Sequence, residues 1–277
     1  MKQMPFLGKI DDGINLAVCN KALIGTRFAG RLQHFASVTS TNTLLLEAAA
    51  ANGKSAAPEG TVYVADEQTA GRGRGGHAWH SAPGDGLYLS ALVKPPLRLR
   101  DALWISLAAG LAAAQAIHET AGVSIDIRWP NDLLIGYKKL GGILVETAVE
   151  PGDDPFLRFA VIGIGINVHH TAFPAELSNI ATSVALESEM PTFRDPILIS
   201  LLRALDHELT LLETSSPNLL VRFGALSSWV HGKRVHVPEQ GGYTGRTAGL
   251  DERGFLLVDS DDGARRTVLS GGVREAE

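Results

Sequence analysis

The chain has 277 residues, enough for one large domain and a small companion. Its 45% hydrophobic and 20% charged residues match an ordinary globular protein, and a net charge of -5 argues against a broad electrostatic footprint for nucleic acid. Cys19 is the only cysteine, which excludes an intrachain disulfide or a cysteine-based zinc site and fits a reducing, cytoplasmic setting.

The opening stretch through Gly13 lacks the apolar core and small-residue cleavage site of a signal peptide. Residues 1–34 carry a mixed signal, a short helix or a strand, and are too few for a helix-turn-helix domain with its own core. Ser40 or Thr41 suits the N-cap of a helix over Thr43 to Ala51, which Asn52, Gly53 and Pro58 end. The β-branched run Thr61 to Asp66 predicts a strand that feeds the stretch GRGRGGHAWHS, Gly71 to Ser81, and Leu87 to Val93 predicts a strand leaving it. Asp101 predicts the N-cap of a helix to about Thr120; its richest apolar part, Leu103 to Ile117, is too short and alanine-heavy for a membrane span.

Ser124 to Trp129 predicts a strand, and Pro130-Asn131-Asp132 a tight turn. Leu133 to Ile135 and Ile143 to Ala148 pair as a hairpin around Gly136-Tyr137-Lys138-Lys139. Phe156 to Val168 predicts a long strand, and leucines at helical spacing predict a helix over Pro196 to Glu213, with another before Trp229. From Gly232 onward, short β-like runs broken by glycines predict a small all-β unit, most simply a barrel. The expected fold is therefore α+β, a mixed β-sheet with flanking helices over residues 1–230, followed by the small unit over residues 231–277.

Two segments carry chemistry. In GRGRGGHAWHS, glycine allows close backbone approach, and arginine offers an always-charged fork for carboxylate or phosphate oxygens. Arg72 and Arg74 alternate, so an extended segment would present both to one side, and Trp79 either covers a ring or belongs to the core. The second segment, RWPND followed by KKLGGILVE, sets Asp132 and Lys139 on one hairpin. Lys139 supplies a compact charge; Asp132 can orient it, hold Mg²⁺ or accept a proton. Gly141 and Gly142 in a β-run imply that something approaches the backbone.

Other patterns carry less. Gly53-Lys54-Ser55 lacks the glycine a phosphate-binding P-loop needs, and Gly163-Ile164-Gly165 lies inside a strand with Val168 where a dinucleotide fingerprint has glycine. His77, His80, His169 and His170 suit loop or surface positions better than a metal site.

Five ordered segments, Ser40-Thr41-Asn42, Glu67-Gln68-Thr69-Ala70-GRGR, RWPND, KKLGGILVE and GIGINV at Gly163 to Val168, make the chain from about Thr39 onward resemble the bacterial biotin–protein ligases. The resemblance implies a catalytic domain related to class II aminoacyl-tRNA synthetases and lipoate ligases, with a C-terminal SH3-like β-barrel. It implies biotin contacts by Ser40, Thr41, Asn42, Gln68, Gly71, Arg72, Gly73, Lys139, Gly142 and Gly165. It implies nucleotide contacts by Arg72, Gly73, Arg74, Trp79, Asn131, Lys139 and Asn167, with Lys139, Arg72 and Asp132 in catalytic roles. Gly141, Gly142 and Gly165 are expected to give the biotin rings room. The implied reaction forms biotinyl-5′-AMP from biotin and MgATP, then biotinylates one lysine of a carboxyl-carrier protein.

Members of this family often carry basic residues where this chain has Gly75 and His77, so its loop charge is reduced. Some members have a DNA-binding N-terminal domain, for which residues 1–38 are too short; DNA and membranes are not expected partners, and a homodimer through sheet edges fits. A lipoate–protein ligase, or a biotin- or adenylate-binding regulator without turnover, are the alternatives.

Overall fold

The computed structural model describes all residues except 1–12, 52, 54–55, 215–217, 240 and 277. The leader reading of the first residues, Asn52 as a helix end, and Lys54-Ser55 of the P-loop-like stretch therefore lie outside the described residues.

A helix, α1 (Leu16–Ala22), and a strand, β1 (Leu32–Phe35), account for the mixed signal near the start. Ser40 caps α2 (Thr41–Ala50), its hydroxyl accepting from the Thr43 N–H, so Thr41 and Asn42 fall in a buried first turn. β2 (Val62–Ala65) leads into the Gly-Arg stretch and β3 (Gly86–Val93) leaves it. α3 (Leu103–Ala121) is not capped by Asp101. Instead Asp101 ends a short 3₁₀ turn from Leu99, and Ala102, the cap residue, has only a methyl that cannot accept a hydrogen bond; the backbone winds into the helix through i→i+3 bonds. Ala108, Ala109, Ala112, Ala113 and Ala116 of α3 are fully buried, because methyl side chains let neighbouring elements come close.

β4 (Asp126–Arg128), β5 (Asp132–Ile135), β6 (Lys138–Val149) and β7 (Leu157–Asn167) follow. The β5–β6 turn is only Gly136-Tyr137, so Lys139 lies within the strand rather than in the loop. The short α4 (Val184–Glu187) precedes α5 (Arg194–Glu213), where the leucine periodicity predicts a helix, and α6 (Leu219–Leu226).

Seven strands form one sheet in the order β1-β2-β3-β7-β6-β5-β4. β1 and β2 are parallel and every other neighbouring pair is antiparallel, so the sheet is mixed as expected. Alternation along the strands separates the two faces. Ala91, Val93, Ala160 and Ile162 join the main core with α3 and α5, while Leu92, Phe159 and Val161 pack with Leu45 of α2 in a smaller cluster.

The C-terminal all-β unit is a five-stranded antiparallel sheet: β8 (His231–Val237), β9 (Tyr243–Leu250), β10 (Leu256–Ser260), β11 (Arg265–Val268) and β12 (Arg274–Glu275), ordered β11-β10-β9-β8-β12. Its Val235, Val237, Leu256 and Val258 extend the main core. A polar tie reinforces the seam: the Trp129 indole N–H donates to the Gly254 carbonyl at 2.9 Å. Trp129→Phe removes a buried donor and leaves Gly254 unpaired. It should lower unfolding stability by about 1–3 kcal/mol, read from the midpoint of urea denaturation.

Candidate active site

The site lies on the α2 face of the sheet, where the side-chain rows run out. Across β3, β7 and β6 the register places Leu92, Val161 and Glu146 in one rung, Ser90, Gly163 and Leu144 in the next, and Tyr88, Gly165 and Gly142 in the third. α2 covers the first rung, and the glycines leave a trough beyond it. Lining that trough are Ser40, Thr41, Asn42, Gln68, Arg72, Gly73, Arg74, Trp79, Asn131, Lys139, Gly142 and Gly165, all expected site residues. Leu89, Ile143, Leu144, Gly163 and Ile164 join them without having been anticipated as site residues.

The glycines are approached by the protein's own groups. A Cβ on Gly165 would lie 2.6 Å from Nε1 of Trp79, and one on Gly163 would lie 2.3 Å from Oδ1 of Asn42. One on Gly141 would meet the Gly165 carbonyl at 2.6 Å, and one on Gly142 would sit 3.4 Å from Lys139 Cε and 3.6 Å from Trp79. The space over Gly142 and Gly165 is shared with the Trp79 indole and the Lys139 stem, and Gly141 faces sheet backbone. Trp79 is thereby part of the trough itself, with the Lys139 ammonium 5.5 Å from its ring centroid.

Under the trough lies a connected polar layer. Gln68 Oε1 accepts from both the backbone N–H (2.9 Å) and the hydroxyl (3.1 Å) of Thr41, while its amide donates to Ser81 Oγ at 3.0 Å. Buried Ser90 lies 2.8 Å from Thr41 Oγ1 and 2.5 Å from Asn42 Oδ1. The Asn42 amide donates to the Leu144 carbonyl at 3.2 Å and to Glu146 at 3.0 Å. Asn42 and Gln68 thus orient one another's surroundings as well as lining the trough. Ser90 and Glu146 are functional neighbours that the residue reading missed; Glu146 had a signal, as the last residue of KKLGGILVE, whereas Ser90 had none.

Residues 71–79 form a small hairpin over this floor. Trp79 N–H donates to the Gly71 carbonyl (2.9 Å), and Gly73 N–H donates to the His77 carbonyl (2.7 Å). A Cβ on Gly71 would collide with the Trp79 carbonyl at 2.6 Å, so Gly71 serves this fold-back rather than the trough lining. At its tip the chain turns through Arg74–Gly76, with Gly75 at φ 63°. The backbone is not extended past Gly73, so the alternation argument fails and the two arginines diverge. Arg72 makes a two-pronged pair with Glu146, at 2.9 and 3.2 Å. Arg74 donates to Asn131 Oδ1 at 3.0 Å and to the Gly271 carbonyl of the C-terminal unit at 2.8 Å. Burial holds the Arg74 guanidinium below its usual pKa, against the pull of Asp132 and Glu239.

Lys139 Nζ meets Asp132 Oδ1 at 2.6 Å, across a β5–β6 register shifted by one bulged residue. The other oxygen, Oδ2, takes Arg128 at 2.6 Å. Burial pushes the Asp132 carboxyl up, but Lys139 and Arg128 outweigh it and hold the group below the ordinary carboxylate range. Asp132 touches Lys139 without lining the trough. The Lys139 backbone is clamped from outside: its N–H donates to the Ile180 carbonyl (2.8 Å) and its carbonyl accepts from Thr182 (3.0 Å).

Asn167 and His170 both lie apart from the trough. Asn167 is buried, is not among the trough-lining residues, and donates to the Thr182 carbonyl at 2.9 Å, so it anchors the segment that clamps Lys139. His170 is not at the surface: it is 1% exposed and stacks on Phe173 at 4.9 Å, with the His80 ring 5.7 Å away.

Residues 34–167 match the biotin/lipoate A/B protein ligase family, and residues 230–273 match the biotin protein ligase C-terminal domain. The chain is 36% identical over 215 residues to the bifunctional ligase/repressor BirA of Bacillus subtilis, covering 76% of this chain and 65% of that protein, just under two thirds of its length. It is 36% identical over 259 residues to the biotin–(acetyl-CoA-carboxylase) ligase of Mycobacterium tuberculosis, covering 90% of this chain and 91% of that one. The fold superposes on the biotin protein ligase of Aquifex aeolicus solved in complex with biotin and ATP, with a TM-score of 0.73 and 28% identity, covering 89% of this chain and all of that one. Among the described residues no helix is long and apolar enough to cross a membrane. The shared catalytic segment, the shared C-terminal unit and the near-full-length relative together mean that the chain belongs to the biotin protein ligases.

Proposed function

We propose that the protein is an ATP-dependent ligase that activates biotin and transfers it to a lysine of a biotin carboxyl-carrier protein. The observation that carries this reading is one trough lined by Lys139, Arg72 and Arg74 from two distant stretches, over a floor of bare strand backbone. In the first step a biotin carboxylate oxygen bonds to the α-phosphorus of ATP and pyrophosphate leaves with the bond it breaks. Two anions meet there, and preorganised cations lower the barrier most where water is excluded. Lys139 is placed to bridge them, with Arg72 and Arg74 neutralising the phosphates. In the second step the carrier's neutral ε-amine attacks the acyl carbon, loses a proton, and AMP leaves. The anhydride is prone to hydrolysis, so the 71–79 hairpin serves as the cover that retains it.

Asp132 does not fit a metal ligand, since Lys139 and Arg128 already occupy both its oxygens at 2.6 Å. Mg²⁺ in this reading accompanies the ATP phosphates, and no step runs through a resident metal. The same pairing favours Asp132 as the group that orients Lys139 over a role as proton acceptor, because a carboxyl held low is a weak base. Residues 1–230 form the catalytic domain in this scheme and residues 231–277 the C-terminal domain. Cytoplasmic residence, no DNA partner, and a homodimer joined at the β1 or β4 sheet edge complete it.

The test is incubation with MgATP, an apo carrier domain and either biotin or lipoate. Mass gain on the carrier with biotin supports the proposal, whereas gain with lipoate alone would refute it, and adenylate without transfer would favour a regulator. Lys139→Ala should slow adenylate formation by about 10²–10³-fold in single-turnover assays while changing biotin affinity far less; equal losses would make Lys139 a binding residue only. Arg74→Gly should speed adenylate escape and label bystander lysines, read by mass spectrometry of an added unrelated protein. For Asp132→Asn, adenylate formation should fall by about tenfold through a misplaced Lys139, with the pH profile of the transfer step keeping its shape. A flattened profile would restore the proton-acceptor role.

A further inference from the structure

We propose that Glu146 is a positioning residue that pins the cover hairpin through Arg72 and so sets how long the activated intermediate is retained. This inference rests on the ligase reading above and adds to it a residue that contacts no reacting atom.

Three observations converge. First, Glu146 occupies both prongs of Arg72, at 2.9 and 3.2 Å, so the pair has the geometry that fixes a guanidinium in direction as well as in place. Second, the carboxylate is not a free surface group. Its side chain is 24% exposed, and it also accepts from the Asn42 amide at 3.0 Å; Asn42 itself is 3% exposed and seated over Gly163. Glu146 is therefore held from below by the trough floor while it holds Arg72 from above. Third, Arg72 pairs with Ala78 across the 71–79 hairpin, one residue from Trp79. Anchoring Arg72 therefore anchors the strand whose partner lays the indole over Gly142 and Gly165.

The rung order gives the pair its place. Glu146 and Val161 close the trough at the α2 end, two rungs from Gly142 and Gly165. The hairpin is then held at three points: Arg72 on Glu146 at one end, Arg74 on Asn131 and Gly271 at the tip, and Trp79 on the glycines between. Ligand departure requires the hairpin to lift. Of the holding contacts at Arg72, the pair to Glu146 is the one between opposite charges, and half of the Arg72 side chain is solvent-exposed, so salt should weaken it.

The experiment forms biotinyl-5′-AMP on the full-length enzyme with MgATP and biotin, removes free ligand by rapid gel filtration, and follows escape of adenylate at several NaCl concentrations. The proteins are wild type, Glu146→Gln, Arg72→Gln and the double variant. Gln at 146 keeps an oxygen for the Asn42 amide while removing the charge and one of the two acceptors that Arg72 grips. We expect Glu146→Gln to speed escape by about tenfold, the scale of one lost charge-assisted pair, and by more than it slows adenylate formation. Escape should quicken with salt in the wild type and stay flat in Glu146→Gln. The double variant should escape no faster than Arg72→Gln alone, since Glu146 acts through Arg72. Unchanged escape in Glu146→Gln, or additive effects in the double variant, overturns the proposal. Should Glu146→Gln fail to fold by thermal melting, Arg72→Lys, which keeps the charge but loses the fork, tests the same contact and should also quicken escape; retention equal to wild type there overturns the proposal. No adenylate from the wild type would instead overturn the ligase reading on which this one stands.

Discussion

A sheet normally projects side chains from both faces at every second residue, and a ligand laid against it meets that pile. On the α2 face of this sheet, three adjacent positions on β6 and β7 carry hydrogen in place of a side chain, and the resulting depression is filled from above by Trp79 and Asn42. Every other feature of the site depends on that subtraction. The cover hairpin can lie close only because Gly165 accepts an indole edge, and α2 can present its first turn only because Gly163 accepts an amide. The backbone does not suffer for it, since the β6–β7 ladder runs unbroken through all three glycines.

Charge is distributed with the same economy. The cations that would meet an anionic substrate do not wait unpaired in a partly dry groove, where lone charge is costly. Lys139 is met by Asp132, and Arg72 by Glu146. Arg74 rests on an amide and a carbonyl oxygen. Each cation thereby has a defined direction before any ligand arrives, which is what preorganisation requires. The cost is that bound anions must compete with resident carboxylates. The Arg72 side chain is half exposed, whereas in the Lys139–Asp132–Arg128 cluster a single, largely buried carboxylate serves two cations.

The two units of the chain are not independent contributors. Residues of the C-terminal sheet complete the main core, Trp129 of the RWPND segment donates across the seam to Gly254, and the tip of the cover hairpin reaches Gly271. The segment after β7 plays a similar supporting part on the other side, where Ile180 and Thr182 clamp the Lys139 backbone and Asn167 ties that clamp down. Parts far apart in the chain thus converge on two cationic side chains.

Much of this was legible in residue order alone. Hydrophobic period and turn chemistry specify the leucine-spaced α5, the strands around the Gly-Arg stretch, the Ser40 cap and the β-rich C-terminus, because each depends on neighbours within a few positions. The run of motifs likewise marks Lys139, Asp132, the arginines and the glycines as a set. Asp101 misled, since a 3₁₀ entry can satisfy a helix start without a side chain. Local pattern could not say that Arg72 and Arg74 part company, because Gly75 turns the chain at positive φ, nor that the glycine floor is roofed by Trp79. It could not join Glu146 to Arg72, or Asn167 to Thr182, since those pairings are set by strand register and by where a loop returns. The residue types determined which chemistry this chain can perform; only packing over long separations decided which partner each charge faces, because a guanidinium's direction depends on whatever oxygen the fold brings within three ångströms of it.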